Sequence, residues 1–210
     1  FSMKLRHLLI PALAAAGAAY LLAPEKPDAE KTAPFKGRNF AHRGLHTKDG
    51  SAPENSLPAF QAASILGYGV ELDVHLTADN KVVVFHDDTL ERMCGDPRKI
   101  EDLTFEELSD FTLAHTECKI PLLTEVFEVL DGAPIILEIK RGSRNDILCA
   151  LTLALIQDYK GDICVESFDP FIVGWFKKNA PHILRGQLSC HRTQLKNISK
   201  PTAFMLSNLL

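Results

Sequence analysis

The sequence predicts an α/β fold, a TIM-type (β/α)8 barrel, and three observations carry that prediction. Short β-branched segments alternate with segments of helical apolar spacing, the pattern of parallel βαβ units. Two of the strand candidates put Glu or Asp on one face and aliphatic residues on the other. In an open doubly wound sheet both faces lie under helices, where carboxylates are costly; a barrel interior has a polar mouth that can use them. The third observation is bulk: 210 residues, 46% hydrophobic and 24% charged, enough for one large core.

In chain order, Asn39 to Gly44 (NFAHRG) is the first strand candidate. Ser56 as N-cap and Pro58 in the first turn open a helix with Leu57, Phe60, Ala63 and Leu66 on one side, ended by Gly67. Val70, Leu72, Val74 and Leu76 then alternate with Glu71, Asp73 and His75, a half-polar second strand. Lys81 to Asp88 (KVVVFHDD) is a third, β-branched strand. From Asp88 to Pro121 the pattern is irregular, apart from a capping box at Thr104 and Glu107. Thr124 caps EVFEVL, and the fourth strand, PIILEIK, separates Ile135, Leu137 and Ile139 from Ile136, Glu138 and Lys140. Ser143 or Asn145 opens the next helix, DICVESF is the fifth strand, Asp169-Pro170 starts a helix as N-cap and N1, and ILRGQLS is the sixth. Six strands fall short of eight, so the barrel is expected to be incomplete at the C-terminus.

Phe1 and Ser2 precede Met3 and read as an expression scar. Lys4 and Arg6 then precede an uncharged run from Leu8 to Ala23, so residues 3–23 read as a signal anchor or, alternatively, a cleaved signal peptide. Either reading places the rest of the chain outside the cytoplasm, membrane-anchored in one case and secreted or periplasmic in the other. Residues 24–37, with three prolines and alternating charge, form a linker, and 38–210 form the barrel domain. A net charge of −4 offers no basic field for nucleic acid. The five cysteines show no metal or disulfide spacing and read as buried small hydrophobes.

The chemistry gathers at the strand ends. Glu71 and Asp73 sit two apart on one strand, so they share a face with Cα atoms roughly 6.5–7 Å apart, and Glu138 reaches the same point from across the mouth. Three carboxylates without a thiolate suit one hard divalent cation, Mg²⁺ or Ca²⁺, with ion pairing to Arg43 and Lys140 as the alternative use. His42 and His86 flank the carboxylates as a candidate general acid and base, because imidazole titrates near neutrality. His75 is assigned to a solvent or rim position. Arg43 and Lys140 supply fixed positive charge for a phosphate diester, and Gly44 lets the backbone approach it.

These residues, in the segments AHRG (41–44), PENSLPAF (53–60), GYGVELDVHLT (67–77), VVVFHDDTLER (82–92), IPLLTEVFEVL (120–130) and LEIK (137–140), resemble the glycerophosphodiester phosphodiesterase family. The resemblance spans about Asn39 to Ser189. It implies a TIM-type barrel that hydrolyses glycerophosphodiesters to sn-glycerol 3-phosphate and an alcohol, with His42 and His86 as acid and base. By the same resemblance Glu71, Asp73 and Glu138 hold the metal, Arg43 and Lys140 contact phosphate, and Glu54 lies beside the metal site. Asp88 to Leu122 corresponds to a small insertion after the third strand, and the family's last two barrel strands have no counterpart here. A lysophospholipid is the alternative substrate, and a non-catalytic membrane-tethered glycerophosphate-binding module is the alternative role.

Overall fold

The structure, a computed structural model, describes residues 29–189. The N-terminal anchor or signal, the first five residues of the linker (24–28) and the last 21 residues lie outside the described residues. Six strands are described: β1 (Phe40–His42), β2 (Gly69–Leu76), β3 (Val82–Val84), β4 (Ile135–Ile139), β5 (Ile163–Ser167) and β6 (Leu184–Gln187). Five of them run parallel in the order β1-β2-β4-β5-β6, with helices Leu57–Ile65, Leu123–Leu130, Asn145–Gln157 and Pro170–Asn179 in the connections, as in an α/β barrel wall.

The alternation read from the sequence separates two environments. Val70, Leu72, Val74, Ile135, Leu137 and Ile139 are buried in one cluster with Phe60, Leu123, Val126, Leu148 and Phe176 of the helices. Removing that apolar surface from water is the main stabilising term, about 1.5–3 kcal/mol for each fully buried large aliphatic or aromatic side chain. The opposite face of β2 and β4 carries Glu71, Asp73, His75 and Glu138.

Local chemistry sets the helix starts. Ser56 Oγ accepts the Ala59 N–H at 3.4 Å, and Asp169 Oδ1 accepts the Phe171 N–H at 2.9 Å with Pro170 in the first turn. The Thr104–Glu107 capping box is present. Thr124, expected as a cap, is instead inside the first turn of Leu123–Leu130; Leu122 takes the cap position and its N–H goes to Glu125 Oε2 at 2.7 Å. Leu66, expected on the buried face, is 58% exposed, because the helix stops at Ile65 and Gly67, at φ +70°, turns the chain outward. Among the described cysteines only Cys149 is buried; Cys94, Cys118 and Cys164 are partly exposed, and all four are free thiols.

The third strand is the main correction. β3 is antiparallel to the far end of β2, with Val74 opposite Val84 and Leu76 opposite Val82, so it is not a barrel stave. The tight loop Thr77 to Lys81, closed by the Lys81 N–H on Thr77 Oγ1 at 2.8 Å, joins them. Five residues are too few for a parallel crossover, which needs a dozen or more. The insertion therefore begins with β3 rather than after it. Val82 and Val84 face the main core, while Val83 and Phe85 join a second small core with Leu90, Ile100, Leu108, Leu113 and Ile120.

Candidate active site

The site starts where β1 ends. Arg43 and Gly44 both take left-handed backbone conformations, φ +57° and +79°. The Arg43 N–H is shared between the backbone oxygen of Glu71 at 2.9 Å and its Oε2 at 3.0 Å, and the Arg43 carbonyl accepts the Asn55 N–H at 2.9 Å. This turn presses on the start of helix Leu57–Ile65: a Cβ on Gly44 would stand 2.9 Å from the Ala59 carbonyl carbon and its Cβ. Gly44→Ala combines that overlap with an unfavourable φ, so it is expected to destabilise the fold by about 2–4 kcal/mol, read as a lower urea midpoint.

The carboxylates meet as the alternation predicts. Glu71, Asp73 and Glu138 each bring one oxygen within 4.8 Å of the others. Glu138 comes not from across the mouth but from the neighbouring strand, where it is the register partner of Asp73. Lys140 Nζ lies 2.9 Å from Glu138 Oε1 and 3.3 Å from Asp73 Oδ1, while Arg43 Nε is 3.7 Å from Asp73 Oδ2. The two cations expected to clamp phosphate thus already face carboxylates. Both readings of the cluster, cation site and ion pairs, occupy the same few ångströms.

The acids are crowded. Burial, and then the charge of Asp73, push the Glu71 carboxyl up to about 8. Burial also raises Glu138, although Lys140 pulls the other way. Lys140 would be lowered by burial, but Asp73 and Glu138 outweigh it and hold the ammonium above its ordinary value.

Two residues were not singled out from sequence. Glu166 on β5 is the register partner of Glu138, and burial followed by the charges of Glu138 and Asp73 raises it to about 7. The alternation of DICVESF carried that signal, since Glu166 has the parity opposite to buried Val165 and Ser167. Asn55 is buried at φ +55°, donates Nδ2 to Asp73 Oδ2 at 3.0 Å, and leaves its buried Oδ1 without a protein partner.

The histidines reach the cluster from different elements. His42 ends β1 with a largely exposed ring, its Nε2 3.7 Å from Glu71 Oε2. Burial of part of the ring, then the Arg43 charge, lower its pKa; His86 is near enough to act in the same direction. His86 arrives because β3 runs back along β2, placing the Phe85 N–H on the Asp73 carbonyl oxygen at 3.0 Å. His75, expected at the rim or in solvent, is instead buried, its Nε2 3.3 Å from the His86 carbonyl oxygen. It lies on the inner face of β2 under the returning chain, which shields it. Glu54 stays off the carboxylate cluster and bridges Arg43 and Arg92.

Comparison with known proteins places this arrangement. The chain is 32% identical over 160 residues to a glycerophosphodiester phosphodiesterase of Caldanaerobacter subterraneus subsp. tengcongensis, covering 70% of this chain and 65% of the relative. It is 35% identical over 139 residues to a lysophospholipase D of Rattus norvegicus, covering 60% of this chain and 43% of that one. The chain thus spans less than two thirds of the length of these relatives. Among solved structures it is similar to an Oleispira antarctica phosphodiesterase in complex with the product sn-glycerol-3-phosphate, with a TM-score of 0.68, 27% identity, and coverage of 79% of this chain and 73% of that one. A Thermotoga maritima glycerophosphodiester phosphodiesterase superposes with a TM-score of 0.59 at 32% identity, covering 79% of this chain and 66% of that one. The pattern that defines the glycerophosphoryl diester phosphodiesterase family matches residues 42–203, from the first histidine of the β1 turn onward, and the chain belongs to that family.

Proposed function

We propose that this chain carries the catalytic face of a metal-dependent phosphodiesterase, which hydrolyses glycerophosphodiesters to sn-glycerol 3-phosphate and an alcohol. The observation that carries the reading is the meeting of Glu71, Asp73 and Glu138 at one end of a parallel sheet, beside His42 and Lys140. Family membership and the product complex of the Oleispira antarctica neighbour support the substrate class.

Glu71, Asp73 and Glu138 would hold the cation; their oxygens, all within 4.8 Å, are the donors that Mg²⁺ or Ca²⁺ prefers. Bound there, the ion supplies Lewis-acid polarisation of the phosphoryl oxygens. His42, whose pKa lies below its ordinary value, is in the neutral form at pH 7 and takes the proton of the nucleophile. That nucleophile is water, which gives sn-glycerol 3-phosphate directly, or a glycerol hydroxyl of the substrate, which gives a cyclic phosphate that water then opens. His86 gives a proton to the leaving oxygen. Arg43 and Lys140 keep positive charge where the phosphoryl group gains negative charge. Incubation with glycerophosphocholine or glycerophosphoethanolamine and Mg²⁺ or Ca²⁺ should release sn-glycerol 3-phosphate, measured by an enzyme-coupled assay. Release that persists undiminished in His42→Ala would end this reading.

Lysophospholipids are a second reading. Phe168, Phe171 and Ile147 are 49%, 79% and 42% exposed at the C-terminal ends of the strands, an apolar rim on the side of the site. Side-by-side turnover of lysophosphatidylcholine and glycerophosphocholine separates the two. No helix among the described residues is long and apolar enough to cross a membrane. The basic-then-apolar order of residues 3–23 supports an anchor that holds the domain outside the cytoplasm, which membrane fractionation with protease protection would test.

The cation site has a pH signature. With a folded pKa of about 8 against an ordinary 4.5, Glu71 binds a proton when folded that the unfolded chain has released between those values. Its contribution to stability is full below about pH 4.5 and is lost as pH rises towards 8, a few kcal/mol at most. The metal-free chain should therefore melt lower at pH 8 than at pH 5.5. Millimolar Mg²⁺ or Ca²⁺ should raise the melting temperature more at pH 8, where binding displaces fewer protons. An equal shift at both values would remove the cluster as the cation site.

A further inference from the structure

His86 leans on its own neighbour in the chain. Its Nδ1 lies 2.5 Å from Asp87 Oδ1, and the Asp87 carboxylate is gripped at both oxygens by Arg92: Nε donates to Oδ2 at 2.6 Å and Nη2 to Oδ1 at 3.1 Å. The same guanidinium donates from Nη1 to Glu54 Oε2 at 3.0 Å and from Nη2 to Oε1 at 2.7 Å. Glu54 Oε1 in turn accepts Arg43 Nη1 at 2.8 Å. A continuous run of side chains thus links the histidine leaving β3 to the arginine leaving β1.

Two physical consequences follow. An ionised carboxylate only accepts, so Asp87 keeps a proton on Nδ1 and leaves Nε2 as the working nitrogen. To act as the acid, His86 starts as the imidazolium, gives its Nε2 proton to the leaving oxygen and is left as the Nδ1-protonated tautomer. Burial works against the ionised form of Asp87, but its hydrogen bonds from Arg92 and His86 prevail and hold its carboxyl below the ordinary value. Forked, charge-assisted bonds also fix orientation more tightly than a single contact. Arg92 itself is placed by the insertion: its one-turn helix, Glu91–Cys94, ends on left-handed Gly95 and seats buried Met93 in the second core.

We propose that Asp87 and Arg92 are positioning residues for His86, and that the run Asp87–Arg92–Glu54 ties the proton carrier of the insertion to Arg43 on the first strand. The insertion then has a catalytic task, delivery of one forked guanidinium, beyond shaping the mouth. The inference rests on His86 being a proton carrier. It adds the reason the ring points one way, and the reason that packing of a separate small core matters to turnover.

The test uses the full chain with three variants, His86→Ala, Asp87→Asn and Arg92→Gln, and two readouts. Turnover of glycerophosphocholine gives kcat and KM. The ¹⁵N signals of the His86 ring give its tautomer whether or not the chain turns over. In the unsubstituted chain the neutral ring should be the Nδ1-protonated tautomer, and the imidazolium the form that precedes proton donation. Asp87→Asn should lose that preference and lower kcat about 10- to 100-fold, with KM within twofold and divalent-cation affinity unchanged. Arg92→Gln, at a side chain 45% exposed, tests the same link without touching the ring's partner and should fall between the two. Asp87→Asn with an unaltered ring tautomer and kcat within twofold of the parent would overturn the proposal while leaving His86 catalytic. His86→Ala at full turnover would instead overturn the role of His86, and the proposal with it.

Discussion

His42→Ala and His86→Ala should each lower kcat by about 10²–10⁴-fold with little change in KM, the range for losing a positioned general acid or base. The two rings come from different elements, one at the end of β1 and one delivered by β3, yet His42 feels the charge of His86. That closeness is what removing one proton and supplying another around a single phosphorus requires. The double variant should be scarcely worse than the poorer single one, because residues that act as a unit are strongly non-additive. Steady-state assays across pH check the point further. Loss of either histidine should abolish one limb of a bell-shaped profile, and full multiplication of the two single effects would argue that they act independently.

Asp73→Asn should be the most damaging change among the carboxylates. Asp73 is fully buried and accepts from Asn55 on one oxygen and from Lys140 on the other, with Arg43 Nε 3.7 Å away. Removing its charge leaves two partly buried cations with one carboxylate each, Glu54 for Arg43 and Glu138 for Lys140, and takes one donor from the cation cluster. The expected result is a loss of about 10²-fold or more in Mg²⁺ or Ca²⁺ affinity, read by calorimetric titration, with a stability loss of about 3–5 kcal/mol. Glu166→Gln, which removes a carboxylate outside the triplet, should leave cation affinity within a few-fold. If the two variants lose cation affinity equally, the assignment of Glu71, Asp73 and Glu138 as the binding set fails.

Much of this was legible because strand periodicity is a local property. Glu71, Asp73 and Glu138 share parity opposite to Leu72, Val74 and Leu137, and a single strand read in isolation already puts them on the polar face. The caps at Ser56, Thr104 and Asp169 are likewise set by residues within a few positions of one another. Asn55 and Glu166 were visible letters without visible partners. Their meaning comes from Asp73 and Glu138 on other strands. The misplacement of β3 had a local remedy, since the length of the Thr77–Lys81 loop already excludes a parallel crossover.

From the sequence alone came the alternating architecture, the polar inner face, and the identity of the histidines, carboxylates and cations at the strand ends, all governed by short-range periodicity and turn chemistry. Only the tertiary structure decided which strands are neighbours and which groups pair. Register put Asp73 opposite Glu138; the antiparallel return of β3 carried His86 to the site and buried His75. It also set Arg92 between Asp87 and Glu54, 38 residues away from the latter in the chain. Such contacts depend on how whole elements pack, and a one-residue slip of register would turn the strand residues among them, Asp73, His75 and Glu138, to the other face.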